Sequence, residues 1–300
     1  MTNLPPLPRL HTSTAIRILL LLVLAMVGLA VASGIMAICF HGSDSLSDGP
    51  ALYFTLVAQD VLAFIVPAIA AMAICFHQPL SVMGLNRTPS WSGILVALLV
   101  WVVSLPMMNW VVEWNKSIHL PDSLRAIEDL MRMAEDMAEA ATEQLLSGTS
   151  IGKLLANVMV VGVMAGVSEE IFFRGGMQRL LTIGRWNTHA AVWVVAIVFS
   201  AVHFQFFGFV PRMLLGAWLG YLLVRTGSLW VPIFAHALNN SLVVVASWLG
   251  DTGHIATGSL DNLGIPQSGE FPWLALGSAV VTIALIVWYM KSKNHEEHAL

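Results

Sequence analysis

The chain has 300 residues, 57% of them apolar and 11% charged, with a formal net charge of −4 and a mean hydropathy of +0.77. Soluble domains carry about 25% charged residues, so this composition excludes an ordinary soluble protein and belongs to an integral membrane protein, long enough for several spans of about 20 residues. The small net charge and the lack of a long polybasic block exclude a nucleic-acid partner, and Cys39 and Cys75, each at the end of an apolar run, read as packing residues.

Residues 1–14 form a short proline-containing tail, and the first apolar run covers 15–40. Arg9 and Arg17 precede it as they would in a signal peptide, but the run is too long and lacks a clear small-residue cleavage site, so it is predicted to stay as a helix. A loop with Asp44 and Asp48 leads to a second span, 51–76, which carries Gln59, Asp60 and Pro67. Asp60 beside Gln59 reads as a structural hydrogen-bonding site. The third span, 91–114, contains Pro106; prolines are tolerated in membrane helices where neighbours satisfy the freed carbonyls.

Residues 115–150 break the apolar pattern. Asp122 or Ser123 is placed to cap a helix, and Leu124, Ile127, Met131, Ala134, Ala138, Ala141 and Leu145 recur three and four apart, the mark of an amphipathic helix. Gly148 ends it. The segment is predicted as an extramembrane helix lying on the bundle, with a lid or substrate gate as the sharper alternative; it lacks the basic face of a membrane-surface helix.

Four more spans follow at 156–181, 188–207, 211–226 and 229–249, then a polar loop through Glu270, a last span at 271–290 and a basic tail from Lys291. The expected fold class is all-α: a polytopic membrane protein of about eight transmembrane helices plus one extramembrane amphipathic helix. Residues 1–300 read as one membrane domain with its core at 151–250. With both termini cytoplasmic, Arg9, Arg17, Arg87, Arg179, Arg185, Arg225, Lys291 and Lys293 fall inside, the loops at 41–50 and 250–270 have no Lys or Arg, and only Arg212 and the long 115–150 segment put basic residues outside. Cys39 and Cys75 then lie at opposite membrane faces and cannot be bonded.

The most costly stretch runs from Val167 to Arg174, where Glu169, Glu170 and Arg174 sit inside an apolar span; intramembrane ionisable residues are a functional hypothesis by default. Glu170 and Arg174, four apart, share a helix face and can pair. Glu169 lies roughly 100° away and faces elsewhere, which suggests a structural pair and a chemical Glu169. Of the ten histidines only His203 and His236 fall well inside predicted spans. From the inner ends, Glu169 lies roughly 18 Å up, His203 roughly 22 Å, His236 roughly 10 Å and Asn240 roughly 16 Å at about 1.5 Å per residue, so tilt can bring the four to one level. The bland reading of each histidine is a hydrogen-bonded packing residue. Asn239 reads as a helix-contact amide, and Gly175, Gly176, Gly216 and Gly220 as close-approach positions.

In order, Glu169-Glu170-x-x-x-Arg174, Phe199-x-x-x-His203 and His236-x-x-x-Asn240 resemble the three motifs of the CAAX protease and bacteriocin-processing family, to which the type II CAAX prenyl endopeptidases belong. The resemblance covers about residues 151–245. It implies an intramembrane endopeptidase in which Glu169 and His203 activate water and His236 and Asn240 stabilise the oxyanion, with Glu170, Arg174 and Phe199 in support. The implied partners are the bilayer and a membrane-associated protein or peptide substrate, lipidated ones included.

Physical chemistry allows this. Peptide hydrolysis needs a base near the water and donors at the forming oxyanion. Two histidines and a glutamate, here Glu169, His203 and His236, are also a credible zinc set; the metal-free route is preferred because an asparagine amide suits an oxyanion hole better than a zinc ion. A transporter would likewise place such residues near the midplane, although no internal repeat is visible here, and a scaffolding member could retain them.

Overall fold

The structure is a computed structural model that describes residues 8–39, 49–256, 258–266 and 270–292. The acidic loop with Asp44 and Asp48 and the tail with Lys293 lie outside the described residues. In chain order the helices are α1 (Thr14–Cys39), α2 (Pro50–Cys75), α3 (Trp91–Lys116), the amphipathic α4 (Arg125–Leu146), α5 (Ile151–Ile183), a short α6 (Thr188–Ala201), α7 (Phe206–Thr226), α8 (Trp230–Asp251) and α9 (Trp273–Lys291). The protein is an all-α polytopic membrane protein. Among the described residues there is no strand, only an isolated bridge between Pro8 and Phe76.

Seven of these helices are long and apolar enough to cross a membrane, one fewer than the eight expected. The exception is α6. Its 14 residues reach about 21 Å at 1.5 Å per residue, short of a hydrocarbon core of about 30 Å. The predicted span at 188–207 stops at Ala201 because the chain turns there, with Phe204 at φ 54°, a left-handed conformation that cannot continue the helix. His203 therefore stands on a turn and not within a span.

In α2, residues Asp60–Ile65 form a π turn, and α5 contains two more, Val158–Met164 and Ile171–Gln178, on either side of the α-helical turn Ala165–Glu170. Such widened turns recur at functional sites. The proline in α3 is accommodated as expected: Ser278 of α9 inserts at Pro106, donating to the Val103 carbonyl and accepting from the Met107 amide, so the interrupted ladder is satisfied by a neighbour.

The core lies among α2, α5, α6, α7 and α8. Gly216 and Gly220 of α7 admit the side chains of α5: Arg174 donates to the Gly216 carbonyl at 2.9 Å and Gln178 to the Gly220 carbonyl at 3.1 Å. A β-carbon on Gly166 of α5 would stand 2.8 Å from the Ala237 amide nitrogen of α8, so these two backbones touch only because residue 166 has no side chain.

α4 packs differently from its periodicity. Glu128 and Glu135 are buried on the face toward the bundle, and of the predicted stripe Met131, Ala138 and Leu145 are half-buried whereas Leu124, Ile127, Ala134 and Ala141 are exposed. Neither Asp122 nor Ser123 caps it; a 3-10 turn, Asp122–Leu124, leads in without a side-chain cap. The buried carboxylates are satisfied instead: Glu128 takes the Leu120 amide at 2.7 Å and Arg132 at 2.7 Å, and Glu135 takes the Phe207 amide at 3.2 Å.

Candidate active site

Glu169 and Glu170 occupy the α-helical turn between the two π turns of α5. Glu170 is fully buried, and its Oε1 accepts from Arg174 at 2.6 Å, the pairing expected from their spacing. The same oxygen lies 2.9 Å from Nδ1 of His236. Since Glu170 is already the acceptor for a guanidinium, the imidazole Nδ1 carries the hydrogen. This joins α5 to α8 through a buried triad that sequence spacing did not reveal.

Glu169 points the other way. With Asp60, His203, Phe173 and the apolar Leu56, Phe64, Leu145, Val160, Val161 and Val202, it lines a cavity of about 280 Å³. Its Oε1 is 4.0 Å from Nε2 of His203 and its Oε2 is 3.7 Å from Nε2 of His236. Both separations are too long for direct hydrogen bonds and suit a bridging water.

His203 is held by its other nitrogen, which donates to the Phe199 carbonyl at 2.8 Å. Both histidines thus commit Nδ1 to an acceptor, and in the neutral form both turn an Nε2 lone pair toward Glu169. Phe199, 1% exposed, is the shared packing surface: the Arg174 guanidinium lies 4.6 Å from its ring centroid, and the His203 and His236 rings lie 5.1 and 5.7 Å away.

Asn240 sits one turn beyond His236 on α8. Its Nδ2 is 3.4 Å from the Val161 carbonyl, on a cavity-lining residue, and its Oδ1 accepts from Asn239 at 3.2 Å. Asn239 accepts in turn from the Trp101 indole at 3.1 Å, in keeping with a helix-contact amide. Asp60 accepts from Ser168 at 2.9 Å, a hydrogen-bonded place that also faces the cavity.

Sequence reasoning missed three contributors. Arg212 of α7 donates to Gln205 at 2.7 Å and is near enough for its charge to act on Glu169 and His203; an arginine in an apolar span was the available signal. Asn115 brackets the chain after His203, donating to the Phe206 carbonyl at 3.0 Å and accepting from the Val210 amide at 2.7 Å. Glu135 holds the Phe207 amide between them. Neither Asn115 nor Glu135 carries a sequence signal, because their partners are backbone groups about 70 to 95 residues away.

The fit of the alternative zinc set rests on convergence. Among the described residues no group of three His, Cys, Asp or Glu side chains is arranged to hold a metal ion. Glu169, His203 and His236 form no such group in this arrangement, and no step is routed through a metal.

Residues 151–242 match the type II CAAX prenyl endopeptidase Rce1-like family. Two proteins of Bacillus subtilis (strain 168) are similar. YpbD, an uncharacterized protein, is 23% identical over 150 residues, covering 49% of this chain and 62% of YpbD. YdiL, whose name assigns it provisionally to the membrane peptidases, is 30% identical over 88 residues, covering 29% of this chain and 36% of YdiL. The matched regions thus span less than two thirds of either relative. No solved structure matches the chain significantly. Residues 151–242, which carry the three motifs, are thus similar to the type II CAAX prenyl endopeptidase Rce1-like family.

Proposed function

We propose that the protein is an intramembrane endopeptidase that hydrolyses a peptide bond of a membrane-associated protein or peptide. The observation that carries this reading is the position of Glu169, at the wall of a largely apolar cavity and within 4.0 Å of Nε2 of two histidines on different elements. A water between Glu169 and His203 hydrogen-bonds to the carboxylate and to the Nε2 lone pair. Glu169 takes one proton as the water oxygen attacks the scissile carbonyl.

The tetrahedral oxyanion is met by the Asn240 amide and by His236. Because Nδ1 of His236 gives its hydrogen to Glu170, Nε2 donates to the oxyanion only as an imidazolium, a form flanked by the Glu169 and Glu170 carboxylates. Collapse of the intermediate breaks the C–N bond, and the proton held on Glu169 passes to the leaving amine. Glu170, Arg174 and Phe199 orient the two histidines and do not touch substrate. The similarity of residues 151–242 to the Rce1-like family supports the same reaction class.

The test is cleavage of a fluorogenic membrane peptide by purified protein in detergent or proteoliposomes. Wild type cleaves it, and Glu169→Gln, folded to the same yield, does not. Equal rates for the two proteins would overturn the reading.

A further inference from the structure

The two ends of the bundle differ in charge. At one end α1, α5, α8 and α9 meet the neighbouring turns: the Arg9 amide donates to the Cys75 carbonyl at 2.8 Å, the Leu229 amide to the Gly84 carbonyl at 3.1 Å, Arg179 to the Gly227 carbonyl at 3.2 Å, and Arg225 to the Tyr289 carbonyl at 2.9 Å. Among the described residues this end holds seven Lys or Arg side chains and no carboxylate. The opposite end, where α2, α5 and α7 begin, holds five Lys or Arg, namely Lys116, Arg125, Arg132, Lys153 and Arg212. Two of these are paired, Lys116 with Glu139 at 3.1 Å and Arg132 with Glu128 at 2.7 Å. By the positive-inside rule the arginine-rich end is cytoplasmic.

The lining of the cavity at Glu169 extends toward the other end. Its lining comes from the early turns of α2 (Leu56 and Gln59), the early turns of α5 (Val160 and Val161) and Leu145 in the last turn of α4. Leu145 also lines a second cavity of about 350 Å³ that reaches Gly49 and Lys153, where α2 and α5 start. Its carbonyl is held by Asn157 at 3.0 Å, which fixes it between the two spaces. Toward the arginine-rich end the site is closed: Phe172, Phe173, Phe199, Met72, Met83 and Leu180 are each no more than 4% exposed.

We infer that substrate reaches Glu169 past Leu145 from the extracytoplasmic side, so that the chain acts on extracytoplasmic segments of membrane proteins and not on lipidated cytoplasmic tails. This rests on the endopeptidase reading of Glu169, whereas the direction of access does not. A cytoplasmic tail would have to cross the packed aromatic floor or the full bilayer, and an extracytoplasmic segment needs only to displace Leu145.

The experiment has two arms in cells expressing the full chain. In a Cys39→Ala, Cys75→Ala background, Leu145→Cys and Arg185→Cys are exposed to a membrane-impermeant maleimide before and after permeabilisation, with Leu56→Cys as a second cavity probe should Leu145→Cys fail to fold. In parallel, two single-span reporters carry the same cleavable segment on the outer or the inner side, with Glu169→Gln protein as the control. The expected result is cavity labelling from outside, complete loss of labelling at residue 185 until permeabilisation, and cutting of the outer reporter alone. Cavity labelling only after permeabilisation, or cutting of the inner reporter alone, would overturn the inference. Labelling from outside with neither reporter cut would overturn the endopeptidase reading while leaving the direction of access standing.

Discussion

His236 Nδ1 lies 2.9 Å from Glu170 Oε1, the oxygen that also receives Arg174 at 2.6 Å. One buried carboxylate therefore orients an imidazole on α8 and neutralises a guanidinium on its own helix. Removing it strands a fully buried Arg174 and frees His236 to rotate. Glu170→Ala is expected to cost about 3 to 5 kcal/mol, the penalty of leaving one member of a buried pair uncompensated. Yield of monodisperse protein after extraction checks this: it should fall for Glu170→Ala and Arg174→Ala, and stay near wild type for Glu169→Gln, whose side chain faces the cavity.

Gly166→Ala tests whether the distance between α5 and α8 sets activity. The added β-carbon would stand 2.8 and 2.9 Å from the Ala237 backbone nitrogen and Cα, atoms that cannot rotate away. Overpacking of this kind costs about 1 to 3 kcal/mol, and it separates Glu169 from His236 across the interface. Turnover should drop further than the loss of folded protein accounts for; a variant with wild-type specific activity would show that the spacing is not critical.

Asn240→Ala is expected to lower kcat on the order of 10² to 10³-fold, the usual loss for an oxyanion donor, with KM little changed. His236→Ala should do at least as much, since it also removes a partner of Glu170. A change in KM alone for Asn240→Ala would instead assign the amide to ground-state substrate binding.

Metal content separates the two chemistries. For the water-activation route, an active preparation should hold far less than one bound metal per chain, and prolonged chelation should leave cleavage intact. Stoichiometric zinc lost together in Glu169, His203 and His236 variants, with activity restored on adding the metal back, would favour the zinc route.

The α4 clasp has its own pH dependence. The Leu120 amide, Arg132 and His119 hold the Glu128 carboxyl down to about 2, against about 4.3 for an unperturbed glutamate. A depressed carboxylate stabilises the folded arrangement fully above its unfolded pKa and loses that contribution as pH falls through the folded one. Limited proteolysis between α3 and α4 should therefore be flat at neutral pH and rise on acidification from about pH 4 toward pH 2. Glu128→Gln should show the raised rate already at pH 7.

The amino-acid sequence by itself determined the solvent, the helical class and the residues that carry charge into the membrane. Apolar runs of span length with few charges admit only helices, because no water is present to satisfy a strand edge, and Glu170 with Arg174 pairs at a spacing that helix geometry dictates. The three motifs and the glycines at 216 and 220 were legible for the same local reason.

What joins the spans was not. The Glu170 to His236 contact, the seat of Arg174 on Gly216 and the Glu135 hold on the Phe207 amide link residues far apart in the chain, and only packing decides them. The end of α6 at Ala201 follows from a left-handed turn at Phe204 that hydropathy cannot register, since the residues on both sides are apolar. The face of α4 that meets the bundle was set by backbone amides available to Glu128 and Glu135. Carboxylates with their hydrogen bonds satisfied are buried there beside the half-buried Met131, Ala138 and Leu145, while Leu124, Ile127, Ala134 and Ala141 of the same apolar stripe stay exposed.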